Sequence, residues 1–348
     1  MEKLFREDLK YFKPYKVGKE NYKIKLDANE SFIKYPKEIE KEILNAVQNT
    51  MFNRYPDEMS RDLRKLYGEY IGADEDNIIV GNGSDELIQI ITNTFLDKGD
   101  KAAMVMPDFS MYDIYTEIAR GSMVKIPLDD EFNIDIQNLI DTVNKEKCKI
   151  LFLSNPNNPI GRIIKREDII KIIENCNSIV VIDEAYMEFY GDSIIDKCNC
   201  YKNLIVLRTC SKALGAAAIR LGFLIANIEL VEEILKVKPP FNVNALTQNV
   251  GSVLLKDKDF IIKNVNKIIE EREYLYKELR KIKEFKVYKS YANFILIETK
   301  NSDKINDFLI KKGIKLRSFK EGRLKNFLRI TVGTREENNI VLSKIRNF

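Results

Sequence analysis

Residues 180–223 carry side chains whose types and order point to one kind of chemistry. Two short apolar runs, 178–182 and 204–207, read as buried strands bounded by polar residues. The first delivers Asp183, and the second leads into Thr209, Cys210, Ser211 and Lys212. Arg220 follows eight residues after Lys212. A carboxylate at a strand end can keep a ring nitrogen protonated. A lysine partly withheld from water has a lowered pKa and can form a Schiff base. Hydroxyls beside an arginine can grip a phosphate.

Taken singly, Asp183 could cap a loop and Lys212 could be a solvated turn residue. The ordered set is more specific, because together these are the groups that pyridoxal phosphate requires of a protein. A second phosphate element lies upstream. Gly81, Asn82, Gly83, Ser84 and Asp85 form a glycine-rich turn between a strand at 77–80 and an amphipathic run at 87–96. Such a turn offers backbone N–H groups at a helix N-terminus. This makes Gly83, Ser84 and Asp85 the expected phosphate cradle, with Thr209, Ser211 and Arg220 on its other side. The segment 154–161, with Pro156, Pro159 and Gly161, follows another apolar run as a rigid loop.

The elements that must position these groups follow from the patterning. Strands alternate with helices from about residue 77 to 226, which predicts an α/β fold with a mostly parallel sheet covered by helices on both faces. Every candidate group stands just after a strand, where open α/β sheets bind ligands. Pro239 and Pro240 break the pattern. Beyond them come helices at 245–255 and 259–283, then short strands and helices to the end, a small α+β C-terminal domain. The long helix is expected to bridge the domains. The boundaries are an arm at 1–35 that joins the small domain, a large domain at 36–245 and a small one at 246–348. Arg329 lies in the apolar strand FLRITVG, where a charge must face a polar cleft or a partner.

The segments VVIDEAYMEF, LRTCSKALGAAAIRLGF, LDANES, GNGSDE and NPNNPIG resemble the fold-type I aminotransferases, most closely the histidinol-phosphate aminotransferase family. The resemblance covers nearly the whole chain. It implies Lys212 as the Schiff-base lysine, Asp183 under the ring nitrogen, Tyr186 and Asn158 on the ring oxygen, and Arg220 on the phosphate. Ile160 stands where the family usually has threonine. The resemblance also implies an aromatic on the ring face, Phe109 ahead of Tyr112. Tyr55 would reach the cofactor phosphate of a second subunit, making a homodimer with shared sites. Arg329, Arg317, Tyr15 and Asn29 are the implied substrate contacts. The implied reaction moves an amino group from histidinol phosphate to 2-oxoglutarate by a ping-pong route. Aromatic amino-acid transamination and threonine-phosphate decarboxylation use the same scaffold.

Composition removes other classes. The chain has 348 residues and no histidine, so Ser-His-Asp and Cys-His triads and His-ligated metals are excluded. No metal site is expected. A net charge of +4 from 57 basic and 53 acidic residues, scattered along the chain, gives no argument for nucleic acid. The start, MEKLFREDLK, lacks a signal-peptide core, and no apolar run could span a membrane. Five cysteines in a chain this long suggest no disulfide framework, so a cytoplasmic protein is expected. A non-enzymatic ligand sensor on this fold would need a DNA-binding module, for which no room is expected before Tyr11.

Overall fold

Apolar runs such as ILFLS and LIVLRT leave no face for solvent, so each strand must be covered on both sides. The computed structural model describes Leu4, residues 6–9, Phe12 and residues 22–348. The chain opens with β1 (Ile24–Leu26), α1 (Lys37–Gln48), α2 (Arg61–Ile71), β2 (Ile78–Gly81) and α3 (Ser84–Phe95). It continues through β3 (Lys101–Met106), α4 (Met111–Ile118), β4 (Ser122–Pro127), α5 (Ile136–Lys145), β5 (Ile150–Ser154) and α6 (Arg166–Asn175). Next come β6 (Ile179–Asp183), β7 (Leu204–Thr209), β8 (Gly222–Ala226), α7 (Ile228–Leu235), α8 (Ala245–Lys256) and α9 (Lys258–Leu279). The last elements are β9 (Lys286–Val287), β10 (Phe294–Glu298), α10 (Ser302–Lys311), β11 (Ile314–Ser318), β12 (Phe327–Thr331) and α11 (Arg335–Arg346).

The large sheet has seven strands in the order β2-β8-β7-β6-β5-β3-β4. Only β8 runs against the others. Alternate residues of each strand enter different cores, as the period of two requires. Val180 and Ile182 lie in the core they share with helices α2, α5, α6 and α8, while Val181 lies in the core that holds α3 and α7. The small sheet has the order β1-β11-β12-β10-β9. The N-terminal stretch enters it as β1, parallel to β11 with Ile24 opposite Ile314.

Helix α9 is 22 residues long and touches both bodies. Ile261, Val265 and Ile268 lie in a core of the large sheet, and Leu275 and Leu279 lie in the core of the small one. Helices α2 and α7 and the reversed direction of β8 stood outside the sequence reading. Among the described residues, no helix is long and apolar enough to cross a membrane, and no cluster of acidic or cysteine side chains could hold a metal.

Candidate active site

Six parallel strands end at one edge of the large sheet, and five of them lead within a few residues into a candidate group. Asp183 is the last residue of β6 and only 4% exposed. Its Oδ2 accepts the Tyr112 hydroxyl at 2.7 Å, and its Oδ1 accepts the backbone N–H of Ala185 at 3.0 Å. Burial raises its carboxyl to about 6, against the pull of the Tyr112 hydrogen bond. Behind it, Glu184 takes the Arg208 guanidinium at 2.8 Å, tying the ends of β6 and β7 together through a fully buried ion pair.

Lys212 stands three residues past β7. Its Nζ donates to the carbonyl of Ala28 at 3.0 Å, so the segment after β1 closes over it. Burial, and then the positive charge of Arg329, bring its ammonium down to about 8. An amine so poised is available as a nucleophile near neutral pH.

The cradle is built where β8 runs backwards. Gly222 opens β8 between Gly81 of β2 and Thr209 of β7, and Arg220 stands just ahead of it. Entry from this edge delivers the arginine to the site. Arg220 has φ 52°, and this left-handed turn carries its guanidinium back to Ser211 Oγ at 3.4 Å and Asp85 Oδ2 at 3.3 Å. The Thr209 hydroxyl donates to Ser211 Oγ at 3.0 Å. Ser84 and Asp85 open α3, with Gly83 at φ 82° as its cap. A Cβ on Gly83 would lie 2.5 Å from Arg220 Nη2, and one on Gly222 would lie 2.5 Å from the Ser84 nitrogen. Backbone leaves no room for a side chain at Gly222, and one at Gly83 would strain a left-handed residue and push the Arg220 guanidinium aside.

The small sheet supplies the facing wall. Arg329 of β12 is buried, donates to the Asn158 Oδ1 and to the Asp27 carbonyl, the latter at 2.8 Å, and lies over the Phe294 ring. Asn29 is buried with φ 53°. Its Nδ2 donates to the Tyr186 hydroxyl at 2.8 Å, while Thr331 and Asn293 hold its backbone. The expected substrate contact therefore meets Tyr186 directly. Arg317 is exposed and stands opposite Arg329 in the β11–β12 ladder. Phe109 is half-buried and meets the edge of Tyr112. Tyr55 lies apart from this cluster, 83% exposed and stacked on Phe241 at 4.7 Å. Tyr15 lies outside the described residues.

Two other concavities, about 1000 Å³ beside Arg6 and Phe12 and about 380 Å³ beside Lys149 and Ser178, are lined by none of these groups.

A model of the family described as aminotransferase class I and II matches residues 21–345. The chain belongs to this aminotransferase family. The histidinol-phosphate aminotransferase of Clostridium novyi (strain NT) is 56% identical to it over 346 residues, covering 99% of this chain and 97% of the relative. The protein of the same name from Thermoanaerobacter sp. (strain X514) is 43% identical over 349 residues, covering 100% and 99%. Among solved structures, the histidinol-phosphate aminotransferase of Clostridium acetobutylicum matches with a TM-score of 0.86 at 27% identity, covering 93% of this chain and 98% of that one. The Sinorhizobium meliloti enzyme in complex with pyridoxal-5'-phosphate has a TM-score of 0.86 at 22% identity, covering 94% and 91%.

This aminotransferase takes pyridoxal phosphate, and its donor set fits that group. It combines a lysine of lowered pKa, a buried carboxylate, a buried phenol and a helix N-terminus whose glycine leaves the turn open.

Sequence reasoning undervalued three residues of the aminotransferase. Tyr112 was the second choice for the ring face, but its own ring is stacked on Phe152 at 4.8 Å and its hydroxyl is spent on Asp183. The helical spacing from Phe109 to Tyr112 was the available signal. Thr331 and Asn293, polar residues at the ends of apolar strands, hold Asn29, and their position in the pattern could have marked them.

Proposed function

We propose that this chain transfers the amino group of histidinol phosphate to 2-oxoglutarate, giving imidazole acetol phosphate and glutamate. Its named relatives support the reading, since they are alike over its full length. The observation that carries it is the cross-strand pair Arg317 and Arg329. Directly opposed residues of an antiparallel ladder share a face, and like charges there are unfavourable unless an anion lies between them. A phosphate ester is such an anion, and so is the distal carboxylate of glutamate. One arginine pair can then serve both substrates in turn, as ping-pong kinetics require.

Pyridoxal phosphate supplies an electron sink and a temporary store for the amino group. Lys212 would hold it through its amine, and the same amine, at a pKa lowered to about 8, would move the proton at the substrate carbon that bears the amino group. Asp183 keeps the ring nitrogen protonated. Tyr186 and Asn158 hold the ring oxygen, and Phe109 covers one ring face. Gly83, Ser84, Asp85, Thr209, Ser211 and Arg220 hold the phosphate. Asn29 and Tyr15 are assigned to the substrate from the arm, and Asn29 also orients Tyr186. We assign the large domain to 36–245, the small one to 246–348 and the arm to 1–35.

The active unit we propose is a twofold dimer in the cytoplasm. Leu44, Met51, Phe52, Tyr55 and Phe241 are large, apolar and exposed, a combination expected of a buried interface. Tyr55 would then serve the partner's phosphate cradle. Sedimentation of the holoenzyme should give a dimer, and a fully active monomer would rule this out. The five cysteines are free thiols, in keeping with a reducing compartment.

The deciding experiment is Arg317→Ala. A lost hydrogen bond to a charged group is worth about 1.5–3 kcal/mol, so KM for histidinol phosphate should rise roughly tenfold or more. Turnover of phenylalanine should change little. A wild-type enzyme that transaminates phenylalanine well, ignores histidinol phosphate and is indifferent to Arg317→Ala would replace this reading with an aromatic aminotransferase.

A further inference from the structure

Two loops of the ring site hang from one buried carboxylate that the reaction itself leaves unused. Strands β3 and β5 pair only from Ala102 with Ile150 to Met104 with Phe152. Both strands run two residues further, to Met106 and Ser154, without a ladder between them. The chain then turns away on either side, toward Phe109 from β3 and toward Asn158 from β5.

Asp108 bridges this opening. It is 9% exposed. Its Oδ1 accepts the backbone N–H of Phe109 at 2.8 Å and the hydroxyl of Ser154, and its Oδ2 accepts the backbone N–H of Ser154 at 3.3 Å. Ser154 Oγ in turn accepts the backbone N–H of Asn158 at 3.1 Å. A second, longer link runs from Asn157 Nδ2 to the carbonyl of Pro107 at 3.4 Å. Three donors converge on Asp108, and an ionised carboxylate is the side chain that accepts them all without a donor of its own. Withholding that carboxylate from water is costly, and burial pushes it up to about 7.

We propose that Asp108 is a positioning residue for the cofactor ring, setting Asn158 through Ser154 and Phe109 through its own backbone. The inference rests on the assignment of Asn158 to the ring oxygen made above.

The test is an absorbance titration of the reconstituted holoenzyme. The colour of lysine-bound pyridoxal phosphate changes with pH, and the midpoint depends on what donates to the ring oxygen. Removing a donor concentrates negative charge on that oxygen, strengthens its hold on the neighbouring imine proton and raises the midpoint. Asn158→Ala should raise it by about one pH unit, the tenfold change that a hydrogen bond of this class supplies. Asp108→Ala should raise it in the same direction by at least half as much. The double variant should go no further than Asn158→Ala alone, because both substitutions remove the same contact. If Asp108→Ala fails to fold, Ser154→Ala cuts the same relay with a smaller change and must show the same shift. A midpoint unchanged from wild type in the folded Asp108→Ala or Ser154→Ala chain, or additive shifts in the double variant, would overturn the inference alone. An unmoved midpoint in Asn158→Ala would overturn the ring-oxygen assignment and the inference with it.

Discussion

Tyr112→Phe removes one oxygen atom from the interior and should change the pH dependence of the enzyme more than its fold. The Tyr112 hydroxyl donates a hydrogen bond to Asp183 Oδ2 at 2.7 Å, while its ring stays stacked on Phe152 at 4.8 Å in either form. Burial and the nearby Asp183 charge hold the Tyr112 pKa well above the ordinary phenol value, so it acts as a donor throughout the working range. Without it, the only donor the protein still gives the Asp183 anion is the Ala185 N–H at 3.0 Å. A hydrogen bond to a charged acceptor is worth about 1.5–3 kcal/mol, and 1.36 kcal/mol corresponds to one pH unit. The sign follows from which form loses the bond. The ionised carboxylate is destabilised, so its pKa rises relative to that of the enzyme with Tyr112 in place. Asp183 must be ionised to keep a ring nitrogen protonated, so activity is lost on the acid side. The acid limb of kcat for the amine half-reaction should therefore move up by about one to two pH units, with little change at pH 8.5 or above. Single-turnover absorbance changes with histidinol phosphate between pH 5 and 9 measure this. Thermal melting at pH 8.5 checks that the fold is kept. A variant whose acid limb coincides with that of wild type would refute the claim that Tyr112 governs Asp183.

Two further outcomes follow from the same geometry. Asp183→Asn keeps the shape of the side chain but removes its charge, and kcat should fall at least roughly a thousandfold, about 4 kcal/mol of transition-state stabilisation. Near-normal turnover in that variant would remove Asp183 from this role. Gly83→Ala forces a side chain onto a residue at φ 82° whose Cβ would lie 2.5 Å from Arg220 Nη2. Cofactor affinity measured by reconstitution of the apoenzyme should drop about tenfold or more, combining backbone strain with displacement of the arginine. Unchanged affinity would mean that Arg220 does not need its present position.

What the sequence determined by itself was the inventory and the side of the sheet. Asp183 after VVI, Lys212 after the run ending at Leu207, and the glycine turn after 77–80 are local signals, because an apolar run predicts a strand and the polar residue behind it marks the strand end. Parallel strands put those ends on one edge, so proximity of the groups followed without coordinates. The pairings across the site were not local. Nothing near Arg220 announces that β8 reverses direction, yet that reversal, with the left-handed turn at Arg220, delivers its guanidinium to Gly83 and Ser211. Helix α2 was missed because it buries only Leu63, Tyr67 and Gly68, which leaves its apolar stripe thin and carries a helix-weakening glycine. Arg317 could not be aligned with Arg329 from the sequence, because the register across 320–326 depends on how that connection folds back, and only the β11–β12 ladder sets them face to face. Asp108 went unread and Tyr112 stood second to Phe109 for the ring face, because their partners Ser154 and Asp183 lie 46 and 71 residues away along the chain. Local patterns report burial and backbone direction. Which buried donor meets which buried acceptor is decided by strand order and register, which are properties of the folded sheet.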